Sequence, residues 1–186
     1  MTEPAPVRPP SSGELPWVLE ALLFVAEEPL TIGALARAAG VGEGSARRAL
    51  QRLAADYEAR GLRLMDDGQR YQLVTAAEFA PYVSELLGAA PGARLSRAAL
   101  ETLTIIAYRQ PCTRAEIEAI RGVNCDRLVA SLEQRGLVDN IGQAEGPGRP
   151  KLYRTTIKFL EHFGIRSPQE LPSLPEPVAI AVPAPL

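Results

Sequence analysis

The chain repeats itself at an offset of 82 residues, and that repeat constrains the fold more than any other feature. Pro29 and Pro111, Thr31 and Thr113, Gly40-Val41 and Gly122-Val123, and Tyr71 and Tyr153 are all separated by this interval. Self-similarity at a fixed period signals one supersecondary unit used more than once. Each copy has about 70 residues, near the lower limit at which a single core is stable alone.

The first copy opens with an apolar helix, Pro16 to Glu28, carrying Leu19, Leu22, Leu23 and Ala26. Pro29-Leu30-Thr31 supplies a break and an N-cap for a short helix ending at Gly40. The spacing of Ala46, Ala49, Leu50, Leu53, Ala54 and Tyr57 predicts a third helix from Glu43 to Arg60, stopped by Gly61. Leu62-Arg63-Leu64 and Tyr71-Gln72-Leu73 alternate as strands around Asp66-Asp67-Gly68, a hairpin signal. A last helix holds Phe79, Tyr82, Val83, Leu86 and Leu87.

The second copy starts at Leu95, with a helix carrying Leu100, Leu103, Ile106 and Ala107. Pro111-Cys112-Thr113 repeats the break and cap, Gly122 ends a short helix, and Gly136 stops another that begins near Asn124. Strands follow at Leu137 to Gly142 and Lys151 to Thr155, then a helix with Phe159, Leu160 and Phe163. Three helices followed by a two-stranded hairpin is the winged helix-turn-helix pattern. The expected fold is mainly α with small β-hairpin wings, as two tandem winged helix-turn-helix domains. The boundaries read as a disordered tail at 1–14, a first domain at 15–88, a linker at 89–94, a second domain at 95–166 and a Pro-rich tail at 167–186.

The wider composition narrows the function. The formal charge is −2 and the pI about 5.6, so no global positive field draws the chain to nucleic acid or acidic lipid. The halves differ mildly: residues 1–88 sum to −4 and residues 89–186 to +2. Cys112 and Cys125 fit no metal-ligand spacing, and with His162 they fall short of the four ligands a structural zinc site needs. The expectation is two reduced thiols, no cofactor and no metal. No nucleophile, base and orienting acid form a catalytic set around His162, so an enzyme is not expected. The start lacks the apolar core of a signal peptide, and Leu15 to Ala26 is too short to span a bilayer. A cytoplasmic protein with no membrane contact is expected.

One run carries a resemblance. Leu95 to Pro111, with Thr113-Arg114-Ala115-Glu116-Ile117-Glu118, Ile120-Arg121-Gly122-Val123-Asn124, Pro147-Gly148-Arg149-Pro150, Leu152-Tyr153, Phe159-Leu160 and Phe163-Gly164, strongly resembles the bacterial segregation and condensation protein B (ScpB) family. The resemblance is dense in the second copy and covers the first by pattern. It implies a nucleoid-associated, non-catalytic scaffold of the bacterial condensin-like complex. Such a scaffold is a homodimer that clasps the kleisin subunit, segregation and condensation protein A, and through it meets the chromosome-maintenance ATPase. Departures are few: Cys112 stands where the family usually has Ile or Val, Cys125 for a usual Ser, and Arg154 for a usual Gly.

The resemblance places the dimer contact in the first domain, which points to Trp17, Leu19, Leu22 and Leu23 on its apolar helix. Tyr108, Arg109, Arg114, Glu116, Arg121, Arg149 and Lys151 are the candidate partner-binding residues of the second. The alternative is a tandem winged-helix transcription regulator reading DNA through Arg47, Arg48 and Arg52. Residues 43–60 carry a charge of only +1, few cations for the several phosphate contacts of a specific reader. The acidic Asp66-Asp67 wing tip also repels phosphate. DNA contact is therefore expected to be weak or indirect. The second wing loop, with Arg149 and Lys151, is a stiff solvated turn or a contact for phosphate or an acidic partner segment.

Overall fold

Thr31 and Thr113 do the same work in the two copies. The Thr31 hydroxyl accepts from the Ala34 N–H at 3.2 Å and that of Thr113 from the Glu116 N–H at 3.3 Å. Each is an N-cap, a device worth about 1 kcal/mol. The helices they start end at Gly40 and Gly122, at φ 66° and 72°, a left-handed turn that glycine adopts without a Cβ clash. The computed structural model describes residues 8–88, 94–146 and 148–174. The expected linker, apart from Arg94, and the outer parts of both expected tails lie outside the described residues.

The first unit runs α1 (Leu15–Val25), β1 (Leu30–Thr31), α2 (Ile32–Ala39), α3 (Glu43–Asp56), β2 (Leu62–Asp66), β3 (Arg70–Thr75) and α4 (Ala80–Leu87). The second runs α5 (Arg97–Arg109), β4 (Cys112–Thr113), α6 (Arg114–Arg121), α7 (Asp126–Gln134), β5 (Val138–Gln143), β6 (Lys151–Thr155) and α8 (Ile157–Phe163). Each unit has a three-stranded antiparallel sheet, ordered β1-β3-β2 and β4-β6-β5. This is the mainly helical, tandem winged-helix fold the repeat implies. The sequence period survives in the register: Leu30 pairs with Tyr71 and Cys112 with Tyr153, the same partners shifted by 82 residues. The third strand of each sheet is not legible from alternation, because two residues hold no period.

In the first unit α1, α2 and α3 pack around Leu19, Leu23, Leu35, Leu50 and Leu53, all buried. In the second, Leu103, Ile106, Ile117, Val129, Leu132 and Leu160 form the core. Gln110 links the end of α5 to β6. Its Oε1 accepts from both the N–H and the hydroxyl of buried Thr155 at 2.8 Å, and its Nε2 donates to the Ala107 carbonyl.

Helix α1 ends at Val25, three residues short of the expected Glu28, and other segments differ from the sequence expectation as well. Helix α3 stops at Asp56, four residues short of Arg60; Tyr57 buries its ring at the C-cap, and Arg63 takes up the carbonyls of Tyr57 and Leu62 beyond it. Helix α4 forms, yet Tyr82, Leu86 and Leu87 point outward from the chain. Residues 168–170 make a 3-10 turn, Leu171 packs on the second core, and the Tyr108 hydroxyl donates to the Pro172 carbonyl at 2.6 Å. This part of the expected Pro-rich tail is thus laid against the second unit.

The first wing is not a free acidic tip. Asp67 is buried, and its carboxylate lies 2.6 Å from Arg154 on β6 and 3.1 Å from Arg70. Next to it the Asp66 N–H donates to the Arg166 carbonyl at 3.0 Å, and Arg166 pairs with Glu58. Met65 and Val74, on the strands of this wing, join the core of the second unit. The acidic residue that sequence reading placed before solvent is therefore spent on a contact between the units.

Burial pushes the Asp67 carboxyl up. The hydrogen bonds from Arg154 and from the Arg70 and Gln69 N–H groups, with the Arg154 charge, outweigh it and hold the group below the ordinary range. A folded-state value below the unfolded one, about 3.9, stabilises the fold above that pH and is lost as pH falls through the lowered value. Thermal unfolding between about pH 6 and pH 2 is expected to show this acid loss. An Asp67→Asn chain, less stable near neutrality, is expected to show a shallower dependence; an identical slope would exclude Asp67 as the titrating group.

Candidate partner-binding surfaces

Helix α1 is apolar nearly all the way round, so hydrophobicity alone does not say which side faces the core. The structure separates the two. Leu19 and Leu23 are buried in the first unit's own core, and Leu22 is half-buried against it. Leu19 and Leu23, expected as surface contacts, are thus taken up within the chain, whereas Leu22 keeps part of its surface outside. Trp17 faces out at 69% exposure, with Phe24 at 82%. Trp17, Ala21, Phe24 and Val25 fall at i, i+4, i+7 and i+8, one continuous exposed stripe. Phe24 and Val25 were missed because they follow the core leucines without a polar break.

The second unit divides the sequence candidates. Arg109, Glu116 and Ile120 line a hollow of about 420 Å³ between α5 and α6. A second hollow, about 640 Å³, meets it at Ile120 and is lined by Arg97, Leu100, Glu101, Thr104, Ile105 and Arg121. Ile120 is 53% exposed and Leu100 also faces solvent. Sequence reading followed the charges and passed over these apolar residues, although Ile120 stands out as an Ile outside the buried stripe of a short amphipathic helix.

Other candidates have local duties. Glu116 closes the capping box of α6: its carboxylate accepts from the Thr113 N–H at 2.7 Å. Hydrogen bonds from the Thr113 N–H and hydroxyl hold its carboxyl below the usual range, against a small opposing effect of burial. Arg121 is largely buried and lies 3.8 Å from Glu101, with one guanidinium nitrogen lacking a hydrogen-bond partner. Arg114 pairs with Asp126 on α7 and reaches Glu118 at 4.0 Å. Tyr108 faces the other way, toward Pro172. Arg149 and Lys151 are exposed on the second wing, Arg149 at φ 41°. The structure thus brings Arg109, Glu116 and Arg121 around Ile120, and leaves Tyr108, Arg114, Arg149 and Lys151 apart.

The family model for the segregation and condensation complex subunit ScpB matches residues 17–174. The chain belongs to the ScpB family. ScpB relatives agree over most of the chain. It is 49% identical to segregation and condensation protein B of Desulforamulus reducens over 160 residues, 85% of this chain and 88% of that one. It is 51% identical to that of Symbiobacterium thermophilum over 158 residues, 83% and 71% of the two chains. Among solved structures it is similar to ScpB from Mycobacterium tuberculosis, 40% identical, covering 83% of this chain and 98% of that one at a TM-score of 0.40. It is also similar to the ScpB N-terminal domain in a dimer complexed with ScpA peptide, 32% identical, covering 40% and 95%, at a TM-score of 0.38.

ScpB is a non-enzymatic family of the chromosome segregation and condensation machinery. The two cysteines of this ScpB chain fit a structural role. Burial pushes the Cys112 thiol up to about 11, helped by the charges of Glu116 and Cys125, and burial also raises Cys125. Such thiols stay protonated and unreactive near neutrality. Among the described residues no helix is long and apolar enough to cross a membrane.

Proposed function

We propose that this ScpB chain is a homodimeric scaffold that binds the kleisin subunit, segregation and condensation protein A, and through it meets the chromosome-maintenance ATPase. The first unit, residues 15–88, joins two copies through the exposed stripe of α1 and the outward face of α4. The second, residues 95–166, holds the kleisin on the α5–α6 face. The observation that carries this reading is the exposed apolar side chain of Ile120 at the meeting of two hollows, rimmed by Arg97, Arg109 and Arg121. Apolar anchors with arginines at the edge suit a partly acidic segment that orders on binding.

A reversal of Arg121 is the wrong test, because that side chain is largely buried in its own unit. Ile120→Asp is the better one, since Ile120 is exposed and contributes little to the core. Calorimetry with the kleisin's central segment is expected to show binding weakened by roughly tens of fold, with the melting temperature unchanged. Unchanged affinity removes this face from the site. No binding by the intact chain removes the scaffold reading, and tight, sequence-dependent duplex binding would favour a transcription regulator.

A further inference from the structure

The turn of the first wing places a charge inside the seam between the two units. The Asp67 side chain is 1% exposed and its partner Arg154 is 9% exposed, 2.6 Å away. Arg154 also donates to the Asp67 carbonyl at 3.3 Å, while its Nε is buried with no hydrogen-bond partner. Around the pair run Arg70 to Asp139 at 3.7 Å, Arg166 to Glu58 at 3.1 Å and the Asp66 N–H to the Arg166 carbonyl. The first unit lends the second core the apolar side chains Met65 and Val74.

We propose that the Asp67–Arg154 pair is an interdomain latch, holding the two winged helices in one orientation and releasing them without unfolding either. A buried ion pair adds little net stability over an apolar contact, because both charges lose their water, but it penalises any arrangement that separates them inside protein. Its two halves sit on different units. Opening the seam therefore returns both charges, and the unpartnered Arg154 Nε, to solvent, which lowers the cost of release. Each unit keeps its own sheet and its own buried leucines when the seam opens. The latch sets how the outward face of α1 and the α5–α6 face are disposed, and it stands whether or not the kleisin reading holds.

The Asp66 amide reports the seam directly, because its acceptor is a carbonyl of the other unit. Hydrogen exchange by NMR on the full chain would follow it beside the Leu50 amide in α3 and the Leu103 amide in α5. Asp67→Asn retains an oxygen to accept from the Gln69 and Arg70 N–H groups, and Arg154→Met retains length. In each variant the Asp66 protection is expected to fall on the order of a hundredfold, to well below that of Leu50 and Leu103, which exchange only when their own unit unfolds. The double variant is expected to lose no more than either single one. Unchanged protection at Asp66, Leu50 and Leu103 as poorly protected as Asp66 in the variants, or additive losses in the double variant would each overturn the latch.

Discussion

A chain carrying Trp17→Asp and Phe24→Asp is expected to run as a 20.0 kDa monomer, and the parent as a dimer of twice that mass. Both side chains are exposed in the single chain, at 69% and 82%, so their replacement removes nothing from the core. A large aromatic left in water is tolerated singly, but a stripe with Ala21 and Val25 between and beside them needs a covering surface. Aromatic anchors at an interface each contribute about 2 kcal/mol or more, so losing two weakens the dimer by roughly a thousandfold. Carboxylates placed against the same apolar surface of a second copy add a desolvation cost. Light scattering over a concentration series reads the mass, and far-UV circular dichroism is expected to match the parent. A persistent dimer would move the interface away from α1.

Leu103→Ala is expected to cost about 2–5 kcal/mol of stability. Leu103 is 1% exposed at the centre of the second core, with Ile106, Ile117 and Leu132 in the same cluster. Truncation leaves a cavity that the surrounding helices fill only in part, so the loss exceeds the transfer energy of the atoms removed. For a chain of this size each 1 kcal/mol lowers the melting temperature by about 2–4 °C. Leu86→Ala, on the exposed face of α4, is the control and is expected to leave the melt of a dilute, monomeric sample unchanged. Denaturant titration of both variants measures the difference; equal stabilities would mean that the second core does not rest on Leu103.

The repeat and its punctuation were local properties, and local properties are legible in a chain. Thr31 and Thr113 cap because a hydroxyl two or three residues before free N–H groups has one good use. Gly40 and Gly122 end helices because a left-handed residue without a Cβ is needed there. The periodicity of Leu50 and Leu53, or Leu103 and Ile106, marks the faces that pack, and the ScpB family was readable in Leu95 to Pro111 for the same reason. Neighbours in sequence decide all of these.

What the sequence could not decide was which apolar or charged residue meets something far away. Leu19 and Trp17 are both apolar and two positions apart, yet α1 turns one inward and the other outward, because a helix side is chosen only when α2 and α3 arrive. Ile120 became a candidate only once α5 and α6 enclosed a hollow on each side of it. Asp67 looked like a free acid at a hairpin tip until β6 placed Arg154 against it, 87 residues along the chain. The local order of residues determined two winged helices; the burial of Asp67 against Arg154, a long-range electrostatic choice, decided how they face each other.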